Sequence, residues 1–565
     1  MPAIKTSLRT TLVAVVVAGA LLFSAAPAEA YTPPSRDDAA WLFKPTTIVT
    51  IDLQLPESSI DSLNLDGSVY APGTFTMRYG RKRYGPWSVE VRLKGRWGSA
   101  RNLGGKAAFK VKFPNSRQRV SGLKKLTLNN MVQDPSYITE TISYELFRAM
   151  GVPAPRTGYA VVSVNGVDYG LHLNVETPDE LMFSKWFPRE ETKHLYEGSY
   201  GCCANWHYAF ADYSYYFPEH FDVDEGDPVD RSDLTTLLDT LNLEGEAWRV
   251  AVEQIADLRE LTAMWAVELY VGHWDGYAPT VNNYYIHNTV SGRITMHPWG
   301  LDQTLGSNGA WMSFSGQGWG NLLDKCLTDV ICSGYFSEAV IATRDKAVAL
   351  ALDVKAATVF ESIRALIVAD SRGEYGVDTA ADYLQSTVNF LQNRPANVDE
   401  WYLPVSPPVS PAVSAGAVSA LLSWSAPDLA GGVILGGYQV EYRKARGRTW
   451  TALQILDPEA TSTRISGLSS GSYEFKVSTI SSRGNSAATT AVVGVMQLTM
   501  TTYASCESLN AIYDLRAGVS KSSRSRNSGA TAYGSPLVNS SLYRKNQSLD
   551  VDGDGIACEA TSPLP

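Results

Sequence analysis

The chain has 565 residues, which exceeds what one hydrophobic core usually organises and favours about three domains. Aromatic residues make up 10% of the chain, a content that excludes a wholly disordered protein. The formal net charge of −10 argues against binding to nucleic acid, because phosphate contacts need clustered Lys and Arg. No nucleic acid is therefore expected among the partners.

The first thirty residues are typical of a secretory signal peptide. Lys5 and Arg9 precede an apolar run from Leu12 to Phe23, and small residues lead to Ala28-Glu29-Ala30. The run is shorter than the roughly 20 apolar residues that span a bilayer. We expect cleavage after Ala30 and a secreted or cell-surface chain without a transmembrane segment. The alternative is an uncleaved N-terminal anchor.

Composition divides the rest of the chain into three parts and a linker. Residues 31–403 mix strand and helix patterns, and residues 404–411 form a Pro-rich linker that favours an extended chain. Residues 412–497 contain short strands, and residues 498–565 are Ser-rich with a terminal Asp/Gly cluster. The predicted fold is multidomain: an α+β domain, an all-β sandwich and a small C-terminal domain.

The six cysteines of an exported chain predict disulfides. Nearness in sequence favours the pairs Cys326–Cys332 and Cys506–Cys558. Cys202 and Cys203 are then left as a vicinal pair, unless they are thiols or pair elsewhere. The sequence has no pair of cysteines at C-x-x-C spacing, so it gives no indication of a zinc or redox motif of that kind.

Short strands with period-two alternation fill residues 412–497. Leu421-Leu422-Ser423-Trp424 predicts a strand with a buried Trp, and Gly437 to Arg443 predicts a second strand. Tyr473 stands where the tyrosine corner of a sandwich lies. These patterns resemble a fibronectin type III domain across its whole length. The resemblance implies a spacer, or a module that binds a cell-surface or extracellular partner.

The C-terminal segment carries aspartates at alternate positions, so that one tight loop can point several carboxylates inward. Gly555 permits the sharp turn, and the closing Glu lies at loop position 10 instead of position 12 of an EF-hand. A calcium site is predicted from five ligand residues: Asp550, Asp552, Asp554, Ile556 through its carbonyl, and Glu559. The alternative is a solvated acidic loop.

Together with Tyr543-Arg544, this segment resembles the excalibur extracellular calcium-binding domain. The resemblance implies bound Ca²⁺ and a Cys506–Cys558 bridge that clamps the loop. The chain departs from that family in a long basic insert, Lys521–Arg526. Serines of the segment Val519–Ser528 are candidate phosphoacceptors, and the alternative is a solvated flexible insert.

Two strand patterns flank a Gly/Ser-rich stretch in the N-terminal domain, Val89–Arg96 before it and Lys106–Phe113 after it. Lys110 and Lys112 share one strand face because side chains alternate. A glycine-rich turn beside paired lysines can cradle phosphates, so both lysines are candidate cofactor-binding residues, together with Arg96. The alternative is a solvated strand face.

A helix is predicted between Asp134, which suits the N-cap, and Gly151, which suits the C-terminal stop. Apolar residues recur every four positions from Ile138 to Met150. Helical geometry then puts Glu145 at the edge of the apolar stripe and Glu140 on the far side. We expect Glu145 to need a cation, for which a lysine of the preceding strand is a candidate, unless Glu145 is merely half-exposed.

Residues 270–306 place an acid, two amides and a second acid at strand ends. Asp275 precedes Asn282-Asn283-Tyr284-Tyr285, and Asp302 follows Pro298-Trp299. Carboxylate and amide oxygens suit Mg²⁺ or Mn²⁺ bound beside substrate phosphates. Asp275 is suited to accept a hydroxyl proton and Asp302 to hold the metal, the two acid roles in phosphoryl transfer. The alternative is that both are turn and cap acids.

Residues 45–402 resemble the CotH kinase family, the spore-coat-type atypical protein kinases. Matching segments include Arg92–Gly95, Lys106–Phe113 and Gly151–Arg156. The family motif is met at ten positions: Asp275, Asn282, Asn283, Tyr284, Tyr285, Pro298, Trp299, Asp302, Thr304 and Gly306.

The resemblance implies a kinase that moves the γ-phosphate of ATP to Ser/Thr of a protein with a Ser-rich basic segment. Asp275 would be base or metal ligand, and Asp302, Asn282 and Asn283 would be metal ligands. The roles of the two acids can be exchanged, and Lys110 or Lys112 would bind phosphate.

Two departures from the family bear on activity. His273 stands where the family usually has Asn, and Gly300 stands where it usually has the first Asp of a D-x-D pair. Loss of one carboxylate beside a divalent ion would weaken metal binding or abolish transfer. The rival hypothesis is a catalytically inactive kinase fold that serves as a cell-surface binding or adhesive scaffold.

Overall fold

The computed structural model describes residues 37–95, 98–198, 221–306, 314, 320–497, 500–513, 518–525 and 536–559. The expected signal peptide, Arg96 and the Cys202-Cys203 pair lie outside these residues. Among the described helices, none is long and apolar enough to cross a membrane.

Seven strands close into a barrel: β1 Ile48–Gln54, β2 Ala71–Tyr79, β3 Lys82–Lys94, β4 Ala108–Lys112, β5 Lys125–Asn129, β6 Thr157–Val164 and β7 Val167–Val175. The order around the barrel is β1-β2-β3-β4-β5-β7-β6, with β1 and β6 parallel and the other neighbours antiparallel. Helix α1, Glu57–Leu65, connects β1 to β2. Phe109, Val111 and Phe113 alternate into the barrel core, as the sequence pattern predicts.

A helical region packs beside the barrel, and its first helix lies between β5 and β6 in the chain while the others follow β7: α2 Thr139–Ala149, α3 Glu180–Trp186, α4 Ser232–Thr240, α5 Gly245–Glu253, α6 Leu258–Val271, α7 Tyr277–Thr280, α8 Asn321–Thr328, α9 Val330–Ala349, α10 Leu352–Ala369 and α11 Val377–Trp401. It encloses a sheet of order β11-β10-β8-β9: β8 Thr192–Gly198, β9 Phe221–Glu225, β10 Tyr284–Thr289 and β11 Ile294–Pro298. Every residue of α6 except Arg259 is buried, so α6 is the central helix.

Helix α2 begins at Thr139 and has Ile138 as its N-cap, four residues later than the N-cap predicted at Asp134. The Asp134 carboxylate instead accepts hydrogen bonds from the backbone N–H of Ser136 and of Thr139, at 3.0 and 2.8 Å. Asp134 therefore closes a turn before the helix and still satisfies one of its first N–H groups. The stop at Gly151 is confirmed, since this glycine has a φ of +82°.

Eight strands form the sandwich: β12 Val409–Ala415, β13 Ala420–Ser425, β14 Leu435–Lys444, β15 Thr451–Ile455, β16 Ser462–Ile465, β17 Gly471–Ser481, β18 Gly484–Asn485 and β19 Val492–Met496. One sheet has the order β12-β13-β16, and the other has β15-β14-β17-β18 with β19 on β17. Trp424 is buried, and the Tyr473 hydroxyl accepts a hydrogen bond from Ser469 N at 3.2 Å. The first strand begins at Val409, inside the predicted linker.

The sandwich packs directly on helix α9. The hydroxyls of Ser333 and Ser337 donate to the carbonyl of Ser482, at 3.0 and 3.1 Å. A Cβ at Gly334 would lie 2.6 Å from the Ser481 carbonyl oxygen, so the two backbones approach as closely as glycine allows. The sandwich is thus fixed on the helical region and does not hang on an extended linker.

The C-terminal part is built from short elements: α12 Cys506–Tyr513, β20 Val519–Ser520, β21 Leu537–Val538, α13 Ser540–Lys545 and β22 Ile556–Ala557. Its sheet has the order β21-β20-β22, and its core includes Ala417 and Val418 of the sandwich. Both disulfides expected from sequence are present, Cys326–Cys332 and Cys506–Cys558. Disulfides are typical of proteins outside the cytoplasm.

Candidate functional site

A cleft of about 570 Å³ lies between the barrel and the helical region. Strands β3 and β4 and the glycine-rich loop between them contribute four cations: Arg92, Lys94, Arg101 and Lys110. The helical region contributes acids and amides: Glu197, Asp275, Asn282, Asn283 and Asp302. The cleft therefore joins a cationic side with a side rich in oxygen ligands.

Strand register explains the cationic side. Arg92 lies opposite Lys110, and Lys94 lies two residues beyond Arg92, so all three point to the same face of the barrel. Burial lowers the pKa of Lys110, while the carboxylates of Asp224 and Glu197 oppose that shift. Lys110, a candidate phosphate-binding residue, thus lines the cleft.

Lys112, the other lysine predicted to bind phosphate, does not line the cleft. It lies further along β4, where its Nζ is 3.0 Å from Glu90 Oε2 and both side chains are half exposed. Lys94 contributes the second ammonium instead, with its Nζ 5.3 Å from the centroid of the Trp299 ring. Lys94 can be recognised as a cleft residue from the register of β3 against β4. The two strands pair across the glycine-rich loop, and this pairing puts Lys94 on the same face as Lys110.

Asp275 is held by two amides. Its Oδ1 accepts from Asn282 Nδ2 at 3.0 Å, and its Oδ2 accepts from Asn283 Nδ2 at 2.8 Å. Burial raises the pKa of Asp275, and these two hydrogen bonds oppose the rise. Because both amides donate through nitrogen, their oxygens stay suited to ligate a cation.

Asp302 lies in a single helical turn, Leu301–Gln303, that α2 holds in place. Thr139 Oγ1 donates to the backbone carbonyl of Asp302 at 3.1 Å, and the hydroxyls of Ser143 and Thr304 are 2.8 Å apart. Burial raises the pKa of Asp302 to about 8; the charge of Glu140 adds to the rise, and that of Lys94 opposes it.

Glu140, and not Glu145, belongs to this site. Glu145 forms an ion pair with Lys355 on α10, away from the cleft. Glu140 is buried beside the cleft and accepts from Asn129 Nδ2 at 2.7 Å. Burial raises the pKa of Glu140, and the charge of Lys94 opposes the rise. The buried Glu140 and the half-buried Asp302 thus share the charge of Lys94, and this excess of oxygen donors fits a divalent cation.

Gly300 lies against the amide of Asn283. Its φ is +60°, and a Cβ at this position would be 2.9 Å from Asn283 Cγ. An aspartate here must therefore move the Asn283 side chain. His273 is buried at the neighbouring departure from the family pattern, and burial lowers its pKa to about 4 despite hydrogen bonds with the backbone of Asn283 and Trp299.

The connector between α10 and α11 braces the glycine-rich loop of the cleft. Lys106 Nζ and Asp370 Oδ2 are 2.5 Å apart in a fully buried ion pair. Arg372 Nη1 donates to the Leu103 carbonyl at 3.2 Å. Arg101 pairs with Glu374. The loop position is therefore set by residues about 270 positions later in the chain.

The acidic tail forms a compact cluster. Ligand oxygens of four residues lie within 4.8 Å of one another: Asp550, Asp552, Asp554 and Glu559. The Asp550 carboxylate accepts from the N–H of Gly553 and Gly555 at 2.9 and 3.0 Å, and both glycines have positive φ. Within the described residues, the buried Glu559 Oε2 has no hydrogen-bond partner. The cluster could bind a metal ion.

Part of the serine-rich insert is packed against this loop. Strand β20 pairs with β22, and Lys521 N donates to the Gly555 carbonyl at 2.9 Å. Ser520 is buried in β20, so it is not accessible as a phosphoacceptor. Ser523 is exposed, and Ser528 lies outside the described residues.

Comparison with known proteins agrees with this layout. Residues 91–346 match the model of the family described as CotH kinase protein, and residues 406–495 match the Fibronectin type III domain. Over 71 residues, the chain is 32% identical to the "Inner spore coat protein H-like protein" of Bacillus subtilis (strain 168), covering 13% of this chain and 22% of the relative. Over 64 residues, it is 31% identical to "Inner spore coat protein H" of the same organism, covering 11% and 18%.

A third relative is the "Uncharacterized protein YhjA" of Bacillus subtilis (strain 168), 39% identical over 57 residues that cover 10% of this chain and 62% of the relative. The matched stretches span about a fifth of the length of the two spore-coat relatives. Residues 91–346 thus form a domain of the CotH kinase family, distantly related to Bacillus spore coat protein H, and residues 406–495 form a fibronectin type III domain.

Proposed function

We propose that the cleft transfers the γ-phosphate of ATP to Ser or Thr of a protein, with Mg²⁺ or Mn²⁺ as cofactor. The observation that supports this function is the opposition of Lys94 and Lys110 to Asp275, Asn283 and Asp302 across one cleft. Phosphoryl transfer needs cations for the phosphates, oxygen ligands for the metal and a carboxylate for the hydroxyl proton.

The residues divide these tasks by chemistry. Lys94 and Lys110 would contact phosphate oxygens, for which an ammonium is a suitable donor. Asp302, Asn282 and Asn283 would hold the divalent ion, which neutralises charge on the transferred phosphate.

Asp275 would accept the proton of the substrate hydroxyl. The hydroxyl oxygen bonds to phosphorus as its O–H bond breaks, and the bond from phosphorus to the oxygen of ADP breaks in the same transfer. The two amides that hold Asp275 orient its carboxylate, and burial raises its pKa toward the range of a useful base.

The test is incubation of the purified full chain with γ-labelled ATP, a divalent ion and a Ser-rich basic peptide. Wild-type protein should label itself or the peptide, and Asp302→Asn should lower the rate by orders of magnitude. Asp382→Asn, on the exposed face of α11, is the matched control and should leave the rate unchanged. Equal labelling by the Asp302 variant would refute the proposal.

Gly300 favours a second candidate, an inactive kinase fold that serves as a cell-surface binding or adhesive scaffold. The cleft has glycine where the family usually has a carboxylate, and the rigid packing of the sandwich on α9 suits a scaffold. Calorimetric titration with ATP and Mg²⁺ separates the two. Measurable binding supports the kinase, and complete absence of binding supports the scaffold.

We also propose that the tail binds Ca²⁺ in the manner of an excalibur domain, through Asp550, Asp552, Asp554, Glu559 and the carbonyl of Ile556. Crowded carboxylates repel one another without a cation, so binding and ordering of the loop are coupled. A flexible shell of oxygens favours the larger Ca²⁺ over Mg²⁺. An extracellular module needs a dissociation constant of only about 10⁻⁴ to 10⁻³ M.

The calcium test uses the full chain, because the tail shares its core with Ala417 and Val418 of the sandwich. Millimolar calcium should slow proteolysis within residues 500–559, and Asp552→Asn should abolish that protection. Asp428→Asn, an exposed acid of the sandwich, is the control. Reduction of Cys506–Cys558 should weaken the protection. Absence of calcium-dependent protection in the oxidised protein would refute the proposal.

A further inference from the structure

The hairpin that joins β2 to β3 exposes a run of cations. Arg78, Arg81, Lys82 and Arg83 are all exposed, and the segment Met77–Ser88 contains no acid. Among the described residues, none of the four has an ion pair or a side-chain hydrogen bond. Four unpaired cations within six residues contrast with a chain whose formal net charge is −10.

A second loop extends this charge. Arg117 and Arg119 belong to the turn after β4, which has no acid between Pro114 and Gly122. Trp41 joins the two loops: its ring centroid is 4.9 Å from that of Tyr79, and its Nε1 donates to Ser121 Oγ at 3.1 Å. We call the six cations, Arg78, Arg81, Lys82, Arg83, Arg117 and Arg119, the basic face.

The basic face is remote from the cleft. Lys82 and Lys94 are the two ends of β3, a strand of 13 residues. At about 3.3 Å per residue, the two ends are separated by up to roughly 40 Å. Phosphates bound beside Lys94 therefore cannot reach the cations around Lys82, and the basic face is a surface separate from the cleft.

We propose that the basic face docks an acidic polysaccharide outside the cytoplasm. Five of its six cations are arginines, whose planar guanidinium binds carboxylate or phosphate groups with two parallel hydrogen bonds. The neighbouring rings of Tyr79, Tyr84 and Trp87 are exposed or half-buried and offer apolar edges to sugar C–H groups. The disulfides indicate a non-cytoplasmic chain, and acidic glycans are a polyanion of that environment.

A lipid bilayer fits the face less well. The hairpin tip is Gly80-Arg81-Lys82-Arg83, and it presents no large apolar side chain that could enter the acyl region. The half-exposed rings also pack on one another, with Trp41 and Tyr84 stacked at 5.8 Å, so they are not free to insert. The face therefore offers charge over a broad surface, which suits a flexible polyanionic chain.

The experiment measures binding of the full chain to polygalacturonate at low ionic strength, by calorimetry. The variant R81Q/K82Q/R83Q should lose at least about tenfold in affinity, since each cation near an anionic surface contributes measurably. The control K444Q/R446Q/R448Q removes the same charge from another exposed basic loop, in the sandwich. The control should change affinity less than about twofold, and wild-type binding should weaken with added salt. Unchanged thermal unfolding verifies that both variants are folded.

Any one of four other results would overturn the proposal. Equal losses in both triple variants would mean that net charge alone controls binding. Absence of wild-type binding to polygalacturonate would remove the glycan partner. Binding to vesicles containing phosphatidylglycerol but not to polygalacturonate would assign the face to a lipid surface. Equal affinity for duplex DNA would reduce the face to an unspecific polyanion site. The outcome is independent of phosphoryl transfer, because no residue of the basic face lines the cleft.

Discussion

Arg101 and Glu374 form a bidentate ion pair, in which Arg101 Nε is 2.6 Å from Glu374 Oε1 and Arg101 Nη2 is 2.8 Å from Glu374 Oε2. Arg101 belongs to the glycine-rich loop that lines the cleft, and Glu374 belongs to the connector between α10 and α11. The hydrogen bond from Arg101 lowers the pKa of Glu374, so the carboxylate stays charged at neutral pH. The pair therefore couples the shape of the cleft to the C-terminal helices of its domain.

Glu374→Gln should loosen the loop 98–106 with little loss of stability. Both side chains are about one-third exposed, so the free energy of unfolding should change by less than about 1 kcal/mol. Hydrogen exchange of the loop should accelerate, and the KM for ATP should rise with kcat unchanged. Glu361→Gln breaks an exposed pair with Arg364 and is the control. Unchanged exchange in the Glu374 variant would show that the pair does not hold the loop.

Substitution of the three barrel lysines, Lys94, Lys110 and Lys112, should change the affinity for ATP by different amounts. Lys94→Met and Lys110→Met each remove an ammonium from the cleft and should weaken ATP binding by about tenfold or more, as expected for a charge-assisted hydrogen bond. Lys112→Met, whose ammonium contacts Glu90 outside the cleft, should have no effect. Calorimetric titration checks all three. A loss in the Lys112 variant equal to that in the Lys94 variant would contradict the assignment.

Substitution of Gly300 separates backbone strain from metal binding. With a φ of +60°, Gly300→Ala and Gly300→Asp should both destabilise the protein, by roughly 1–2 kcal/mol. Both variants place a Cβ against the Asn283 side chain, but only Gly300→Asp adds a carboxylate ligand, so affinity for Mg²⁺ or Mn²⁺, or activity, should be higher in the Asp variant than in the Ala variant. Metal titration of both variants is the measurement. Unchanged metal affinity and activity in the Asp variant would place position 300 outside the metal site.

The buried carboxylate of Glu176 should make stability depend on acid pH. Burial alone would raise the pKa of Glu176, but hydrogen bonds and charge from Arg156 and Lys185 lower it to about 2. A depressed pKa means that the stabilisation is complete above about pH 4.5 and is lost as the pH falls toward 2.

Glu176→Gln should therefore lower the free energy of unfolding at pH 7 by about 3 kcal/mol, and the difference should shrink toward pH 2. Urea titrations at several pH values measure it, with the exposed Glu57→Gln as control. A difference that stays constant down to pH 2 would rule out this linkage.

Gly334 should be essential for docking of the sandwich on α9. Gly334→Val brings side-chain atoms into the Ser481 carbonyl, 2.6 Å from the position of a Cβ, and should separate the two domains. Scanning calorimetry should then resolve two unfolding transitions where the wild type shows one. Lys346→Val, at an exposed position of the same helix, should preserve the single transition. One shared transition in the Gly334 variant would show that the interface tolerates a side chain.

Local spacing let the sequence determine several features by itself. Asp550, Asp552 and Asp554 cluster because they alternate within one short loop, and no distant segment is needed to bring them together. Alternation in β4 separates Lys110 from Phe109 for the same reason. The fibronectin type III domain was equally recognisable, because its strands are short and its buried Trp424 follows the expected pattern.

Only the tertiary structure decided which charged residues share the cleft. A helical wheel assumes one buried face, but α2 packs against both the barrel and the turn of Asp302, so Glu140 is buried and Glu145 reaches a distant lysine. Lys94 faces the cleft because strand register, not nearness in sequence, places it beside Trp299. Contacts between residues far apart in the chain depend on how helices and sheets pack against one another, and a local sequence pattern carries no information about that packing.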